Sequence, residues 1–367
     1  MRECTVQKDV PLAGFTTLGV GGNAEYFVEV DSLEAVHGAI QWANKHDLQI
    51  EVLGGGSNVL IADAGIRGLV VKYAAREIVF KKEAADVVLV VSDAGAEWDD
   101  LVRCTVEEGF WGLENLSGIP GSVGGAVVQN INAYGVTIED VIECVQVLHI
   151  PTGTVHTLAQ KECLFAYRDS LFKQKKGNKI RKEYVITQVE LKVYKKNAPH
   201  TLYRSSSQSM ETYLLEHAIT DPTPADIREA VLAIRSRIGM LRGMYQSAGS
   251  FFKNVVVDRK NFDRIELLIK SSYSDLSKQF HPWHWTMDDG SEKISAAFLM
   301  ECTEFNKTAF AGKTFNGTVG ISPVHTLSII NVKNASAADI RNFVEEIQKS
   351  VENEFGIALE SEVCFLQ

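Results

Sequence analysis

Two glycine-rich segments constrain this 367-residue chain more than any other feature. The first, Gly54-Gly55-Gly56-Ser57-Asn58, lies between two apolar runs, Gln49–Leu53 and Val59–Ala62, which both read as strands. A Rossmann unit needs G-x-G-x-x-G leading from a strand into a helix. Here the third residue after Gly56 is Val59, and the run leads into a second strand. The Rossmann reading is therefore disfavoured. What remains is a turn with several exposed backbone N–H groups, suited either to cradling a pyrophosphate or to closing a plain hairpin. The second segment, residues 112–135, reads GLENLSGIPGSVGGAVVQNINAYG. Its glycines let backbone approach a large flat ligand, or form a packing seam between two subdomains. Two such segments in one half of the chain point to one extended dinucleotide lying between two subdomains.

The surrounding pattern reads as α+β. Strands are expected at Glu25–Val30, Val87–Ser92 and Tyr184–Tyr194, with a hairpin from Val141–Ile150 to Val155–Leu158. A helix over Leu33–His46 follows a capping pair of Asp31 and Glu34, and another over Glu97–Glu108 stops at Gly109. Beyond a boundary near Lys196–Tyr203, helices dominate. One starts at the Thr223 cap with Pro224 in its first position, and others span Arg259–Lys270 and Lys293–Cys302. A fourth is capped by Ser336, and a strand over Ile357–Leu366 follows it. The boundaries drawn are residues 1–198, split at about residue 70, and residues 199–367.

Composition excludes several function classes. The net charge of −10 is a poor basis for binding nucleic acid through its phosphates. Six scattered cysteines with no CxxC spacing build neither a disulfide scaffold nor a zinc site, and no metal is expected. The first residues, MRECTVQKDVPLAGF, lack the apolar core of a secretory signal, and no run is long enough to span a membrane. A soluble, cytoplasmic, monomeric protein is the expectation.

Other motifs are weaker alone. Gly312-Lys313-Thr314 is no P-loop, because the glycine required five residues earlier is Lys307. Lys173, Lys175, Lys176, Lys179, Arg181 and Lys182 read as a solvated hairpin tip. Arg168, beside Phe165 and Tyr167, can grip a carboxylate or simply pair with Asp169. Ser250 stands between Gly249 and two phenylalanines, outside any G-x-S-x-G elbow; it is a turn residue or a proton carrier. Glu360 and Glu362, two apart on the expected last strand, should face one side. His281-Pro-Trp-His284 reads as an aromatic surface loop rather than a metal site.

Taken together, six runs resemble the UDP-N-acetylenolpyruvoylglucosamine reductase (MurB) family: TTLGVGGNAEYFVEV (16–30), LGGGSNVL (53–60), residues 112–135, AYRDSLFK (166–173), AGSFFKN (248–254) and LESEV (359–363). They occur in the family's order and spread over most of the chain. The resemblance implies a two-subdomain FAD-binding domain of the vanillyl-alcohol-oxidase (PCMH) type, followed by a C-terminal α+β substrate-binding domain. FAD would be held non-covalently. Gly54, Gly55, Gly56, Ser57 and Asn58 would meet its pyrophosphate. Asn115, Gly118, Ile119, Pro120, Gly121, Gly124, Gly125, Asn130, Ala133, Tyr134 and Gly135 would complete its site. NADPH would reduce the flavin, and the reduced flavin would give hydride to UDP-N-acetylglucosamine enolpyruvate, forming UDP-N-acetylmuramate for peptidoglycan. By motif match Ser250 would donate the proton, and Arg168 and Glu362 would stabilise the enolate-like intermediate. Tyr167, Lys253, Asn254, Tyr203 and Arg242 would contact substrate.

Two departures stand out. Where the family usually has Lys-Leu-Pro-Asp-Pro, this chain has Ile238-Gly-Met-Leu-Arg242, so Arg237 or Arg242 would replace the missing lysine. Five residues follow Glu362, a shorter tail than in many members, which is expected to trim a surface strand only, the alternative being a more mobile Glu362. The other readings are a flavin oxidase of the same fold and a flavin- or nucleotide-binding module without turnover.

Overall fold

A computed structural model describes residues 5–82, 86–173, 175–176, 179–180, 183–196 and 210–367. Tyr203 and most of the expected boundary lie outside the described residues. The first layer is a four-stranded sheet ordered Gln7–Pro11, Asn23–Val30, Ile66–Tyr73, Ile50–Val52. The last three strands are parallel, and helix Leu33–Lys45 makes the crossover. The helix packs Val36 and Ile40 against Val28, Leu69 and Val71. Its cap is Ser32, whose hydroxyl accepts from the Ala35 N–H at 3.2 Å, rather than an Asp31–Glu34 pair. The two strands flanking Gly54–Asn58 do not pair with each other. Ile50–Val52 joins Ile66–Tyr73, while Val59–Ile61 pairs elsewhere, so the loop is not a hairpin turn.

The second layer is a five-stranded antiparallel sheet in the order Thr154–Ala159, Ile142–His149, Tyr184–Tyr194, Val87–Asp93, Ile78–Lys82. Helices Trp98–Glu107 and Val123–Gln129 cover it. Trp98, Leu101, Val123 and Val127 bury themselves against Val90, Val145, Val189 and Leu191. The buried Trp98 ring donates its Nε1–H to the Leu116 carbonyl at 2.9 Å. That bond satisfies the ring's one polar atom and fixes the glycine-rich segment to the helix.

In the C-terminal half, strands Ser247–Ser250, His325–Asn331 and Val319–Ser322 form one sheet. Helix Ala337–Phe355 packs into the same core through Ile340, Phe343, Val344, Ile347, Val351 and Phe355. Truncating one of its buried phenylalanines should cost about 3–5 kcal/mol. A second sheet joins Val255–Val257, Glu292–Ile294 and His284–Thr286. The single helix expected over Lys293–Cys302 is therefore a strand followed by helix Ala296–Glu301, divided at the Ser295 cap. The strand expected over Ile357–Leu366 shrinks to Cys364–Leu366, which pairs in parallel with Val59–Ile61 beside the first glycine loop. Helix Pro224–Arg237 starts with the Thr223–Asp226 capping box. It leans on the second layer, where Arg228 grips Asp99 with bonds of 2.6 and 2.8 Å.

Candidate active site

The glycine loop Gly54–Asn58 and residues of the segment Ile119–Ala133 both line a cavity of about 320 Å³. Arg168, Ser250 and Glu362, distant in sequence, line the same cavity. Among the described residues no carbonyl or side-chain oxygen accepts from the backbone N–H of Gly54, Gly55, Gly56, Ser57 or Asn58. Unspent amides beside a cavity are donors of the kind that can hold an anion. The walls approach closely. A Cβ on Gly55 would come within 2.6 Å of the Gly121 Cα and 2.7 Å of the Ser122 N. Ser57 Oγ donates to the Pro120 carbonyl at 2.8 Å and locks the loop to the facing wall.

Glu362 is held at four points. Its N–H donates to the Phe251 carbonyl at 2.8 Å, next to Ser250. Its carbonyl accepts from Asn58 Nδ2 at 3.2 Å. Its Oε1 accepts from Gln129 Nε2 at 3.1 Å and lies 3.2 Å from Arg168 Nε. The last contact is a charge pair without the alignment of a directed hydrogen bond. The carboxylate is thus fixed, against the alternative of a more mobile Glu362. Glu360 turns away to Lys253, at 3.1 Å, so the two glutamates do not share a face. The chain here forms only a bridge between Ser361 and Phe252, and the strict alternation of a strand is lost.

Arg168 sits at φ +54°, in the left-handed region that a non-glycine residue avoids. A tight turn imposes this, with Ala166 and Asp169 exchanging backbone hydrogen bonds, and Asn130 Nδ2 donating to the Ala166 carbonyl at 2.9 Å. The turn aims the guanidinium inward, where Nη2 donates to the Asn132 carbonyl at 3.1 Å. Asp169 instead accepts from the Ser170 N–H, so the simple Arg168–Asp169 pair is not formed among the described residues. Lys173 is also internal rather than the first residue of a solvated tip. Its Nζ donates to Gln129 Oε1 at 2.6 Å and to the Arg168 carbonyl at 3.2 Å. Burial pushes its ammonium below the usual lysine range, with the Glu362 charge opposing.

A family model described as "FAD binding domain" matches residues 24–159. A second, "UDP-N-acetylenolpyruvoylglucosamine reductase, C-terminal domain", matches residues 242–366. The UDP-N-acetylenolpyruvoylglucosamine reductase of Pseudomonas fluorescens is 34% identical over 97% of this chain and 98% of its own length. This chain belongs to that reductase family. The reductase of Thermobifida fusca is also 34% identical, over 97% of this chain and 96% of its own. The crystal structure of the Thermus caldophilus MurB reductase covers 99% of this chain and 100% of its own, with a TM-score of 0.64 at 25% identity. The chain is thus a MurB-family oxidoreductase, α+β, with a PCMH-type FAD-binding domain and a MurB C-terminal domain. No helix among the described residues is long and apolar enough to cross a membrane, and no three metal-ligating side chains gather there.

Of the residues singled out for the cofactor in this MurB-family chain, Gly54–Asn58, Ile119, Pro120, Gly121, Gly124, Gly125 and Ala133 lie on the cavity wall. Asn115, Gly118, Asn130, Tyr134 and Gly135 stand behind it, where Asn115 Nδ2 donates to the Tyr134 carbonyl at 2.8 Å. Asn254 Oδ1 accepts from the Ala296 N–H at 3.1 Å, at the start of a helix. Arg242 is two-thirds exposed and pairs with Glu97. Tyr167 stacks under Lys293, whose Nζ is 3.7 Å from the ring centroid. Lys293 gives no site signal in the sequence, where its segment has the pattern of a helix; the structure makes it a strand. Burial, aided by the Arg168 charge, lowers its pKa. Gln129 was missed because a lone glutamine in a glycine-rich run carries no charge signal.

Proposed function

We propose that this chain reduces UDP-N-acetylglucosamine enolpyruvate to UDP-N-acetylmuramate in peptidoglycan precursor synthesis, with FAD bound non-covalently and NADPH as reductant. The observation that carries the reading is the convergence of Arg168, Ser250 and Glu362 on the cavity that the loop Gly54–Asn58 also lines. FAD would supply hydride transfer there, with its pyrophosphate on the five free amides. The chain's own groups then act on the substrate. Arg168, held against Glu362, faces the end where negative charge develops as hydride adds beside the substrate carboxylate. Fixed charge aimed at that point is stronger in the transition state than in the ground state. Ser250 Oγ gives the proton that completes the saturated lactyl ether. Gln129 and Lys173 orient Glu362 and Arg168 rather than touching substrate. The same reading places a monomer in the cytoplasm, beside its nucleotide substrates.

The test is spectroscopic. Anaerobic NADPH should bleach the flavin bands of the purified protein, and the enolpyruvyl UDP-sugar should restore them. Bleaching without recovery would move the substrate elsewhere, and recovery only with oxygen would turn the reading toward an oxidase. Ser250→Ala should keep the bleaching and slow the recovery by about 10²–10⁴-fold. Unchanged recovery would remove Ser250 from the proton step.

A further inference from the structure

Arg235 is a buried cation that the site described so far does not use. It stands in the last turn of helix Pro224–Arg237 and is only 7% exposed. It lines the first cavity and also a second one of about 530 Å³, which holds Lys72, Arg76 and residues 239–247. The two cavities meet at a wall shared by Gly54, Gly55, Pro120, Ser122, Met240 and Gly249, and Arg235 is the only arginine or lysine on both.

Its protein partners leave its charge short of compensation. Nη2 donates to the Met240 carbonyl at 2.9 Å. Tyr134 supplies a further hydrogen bond, and Asp99 attracts it from a distance while already committed to Arg228 and Gly118. No carboxylate forms an ion pair with Arg235 among the described residues, and its buried Nε has no hydrogen-bond acceptor there. An arginine does not shed its proton to escape burial, so a buried guanidinium in this position needs an anion from outside the protein. Gly118 makes room for the guanidinium, since a Cβ there would come within 3.2 Å of Nε and 2.8 Å of Leu232 and Leu241.

The neighbouring cations are differently placed. Ile238 stands where the family's lysine is usual and carries no charge. Arg237 is exposed, and Arg242 faces solvent beside Glu97. The planar fork of a guanidinium matches a phosphate group bidentately. We propose that Arg235, rather than Arg237 or Arg242, is the side-chain anchor for a nucleotide diphosphate at the junction of the two cavities. This rests on the flavin and UDP-sugar reading above. The diphosphate belongs either to FAD or to the UDP-sugar, and the two are separable by experiment.

Arg235→Met and Arg235→Lys would be compared with the wild-type holoenzyme. FAD release on dilution is followed by the rise of flavin fluorescence, and UDP binding by the perturbation of the oxidised flavin spectrum. Arg235→Met should weaken FAD or UDP at least about tenfold, with partial recovery in Arg235→Lys. Loss of FAD alone assigns the anchor to the cofactor; loss of UDP alone assigns it to the substrate; loss of both places it between them. FAD and UDP constants both within twofold of wild type, in variants with unchanged melting temperature, overturn the proposal. If Arg235→Met does not fold, Arg235→Lys decides, since it keeps the charge and loses the fork; unchanged constants there also overturn it. A wild-type protein with no flavin bands, or with a flavin that ignores UDP, would fail the underlying reading before Arg235 is varied.

Discussion

The two glycine-rich segments look alike as sequence and do opposite work. In Gly54–Asn58 the backbone amides are unspent and face a cavity. In residues 115–135 many polar groups are already consumed by the protein. The Gly118 N–H donates to Asp99 at 2.6 Å, the Gly124 N–H to the Ala94 carbonyl at 2.8 Å, and the Gly125 N–H to Ser122 Oγ at 3.2 Å. Asn115 and Asn130 hold backbone carbonyls of neighbouring turns. The first segment leaves its amides open beside the cavity, and the second is largely a rigid wall packed against it. The packing-seam reading is realised in the second segment, and the first is not the plain hairpin that the sequence also allowed.

The contrast can be broken most sharply at Gly55. Gly55→Ala drives a methyl into the Gly121 and Ser122 backbone, which has no flexible end to yield. Separating the two walls should weaken FAD binding by at least about 100-fold, or some 2.7 kcal/mol. Flavin fluorescence titration checks this, and near-normal affinity would show that the walls do not act together.

Gln129 sharpens the comparison, because its side chain reaches from the wall to Glu362. Gln129→Leu removes both the bond to Glu362 and the acceptor for Lys173. Turnover should fall by about 10–100-fold while FAD affinity stays near normal, as expected for a residue acting through its neighbours. Equal losses in both would make Gln129 a cofactor residue instead.

The smallest effect is expected at Asp99, which pins the wall from behind. Burial alone would raise its carboxyl, but the Arg228 fork and the Gly118 N–H outweigh burial and hold it below its ordinary 3.8. The depressed value means that Asp99 stabilises the fold above that ordinary value and loses its contribution as pH falls through the folded one. Asp99 is partly exposed, so Asp99→Asn should cost only about 1–2 kcal/mol at pH 7. Urea unfolding at pH 7 and pH 3 should show the gap between variant and wild type narrowing in acid. A gap that widened would reverse the assignment.

What could be read from sequence follows the range of the forces involved. Tyr184–Tyr194 and the Thr223 and Ser336 capping boxes are local signals, and the structure keeps them in place. Helix Val123–Gln129 was hidden by Gly124 and Gly125, which disfavour helix; the Ser122 cap and the burial of Val123 and Val127 override them. Cys364–Leu366 could not be delimited as a strand without its distant partner, Val59–Ile61. Arg168, Ser250 and Glu362 came from motif likeness, since their meeting depends on contacts between remote segments. Arg235 gives no signal in the sequence, and Lys173 reads there as part of a solvated tip, because charge alone does not reveal burial.

The pairing of Cys364–Leu366 with Val59–Ile61 has a consequence in time as well as space. Asn58 ends the glycine loop, and its amide holds the Glu362 carbonyl across 304 positions of sequence. At about 5–20 residues per second, a ribosome needs roughly 15–60 s to travel from one to the other. For that interval the nascent loop has neither its neighbouring strand nor its carboxylate. The completed cavity is thus a late product of synthesis, and a chain released early would carry the loop without the groups that close around it.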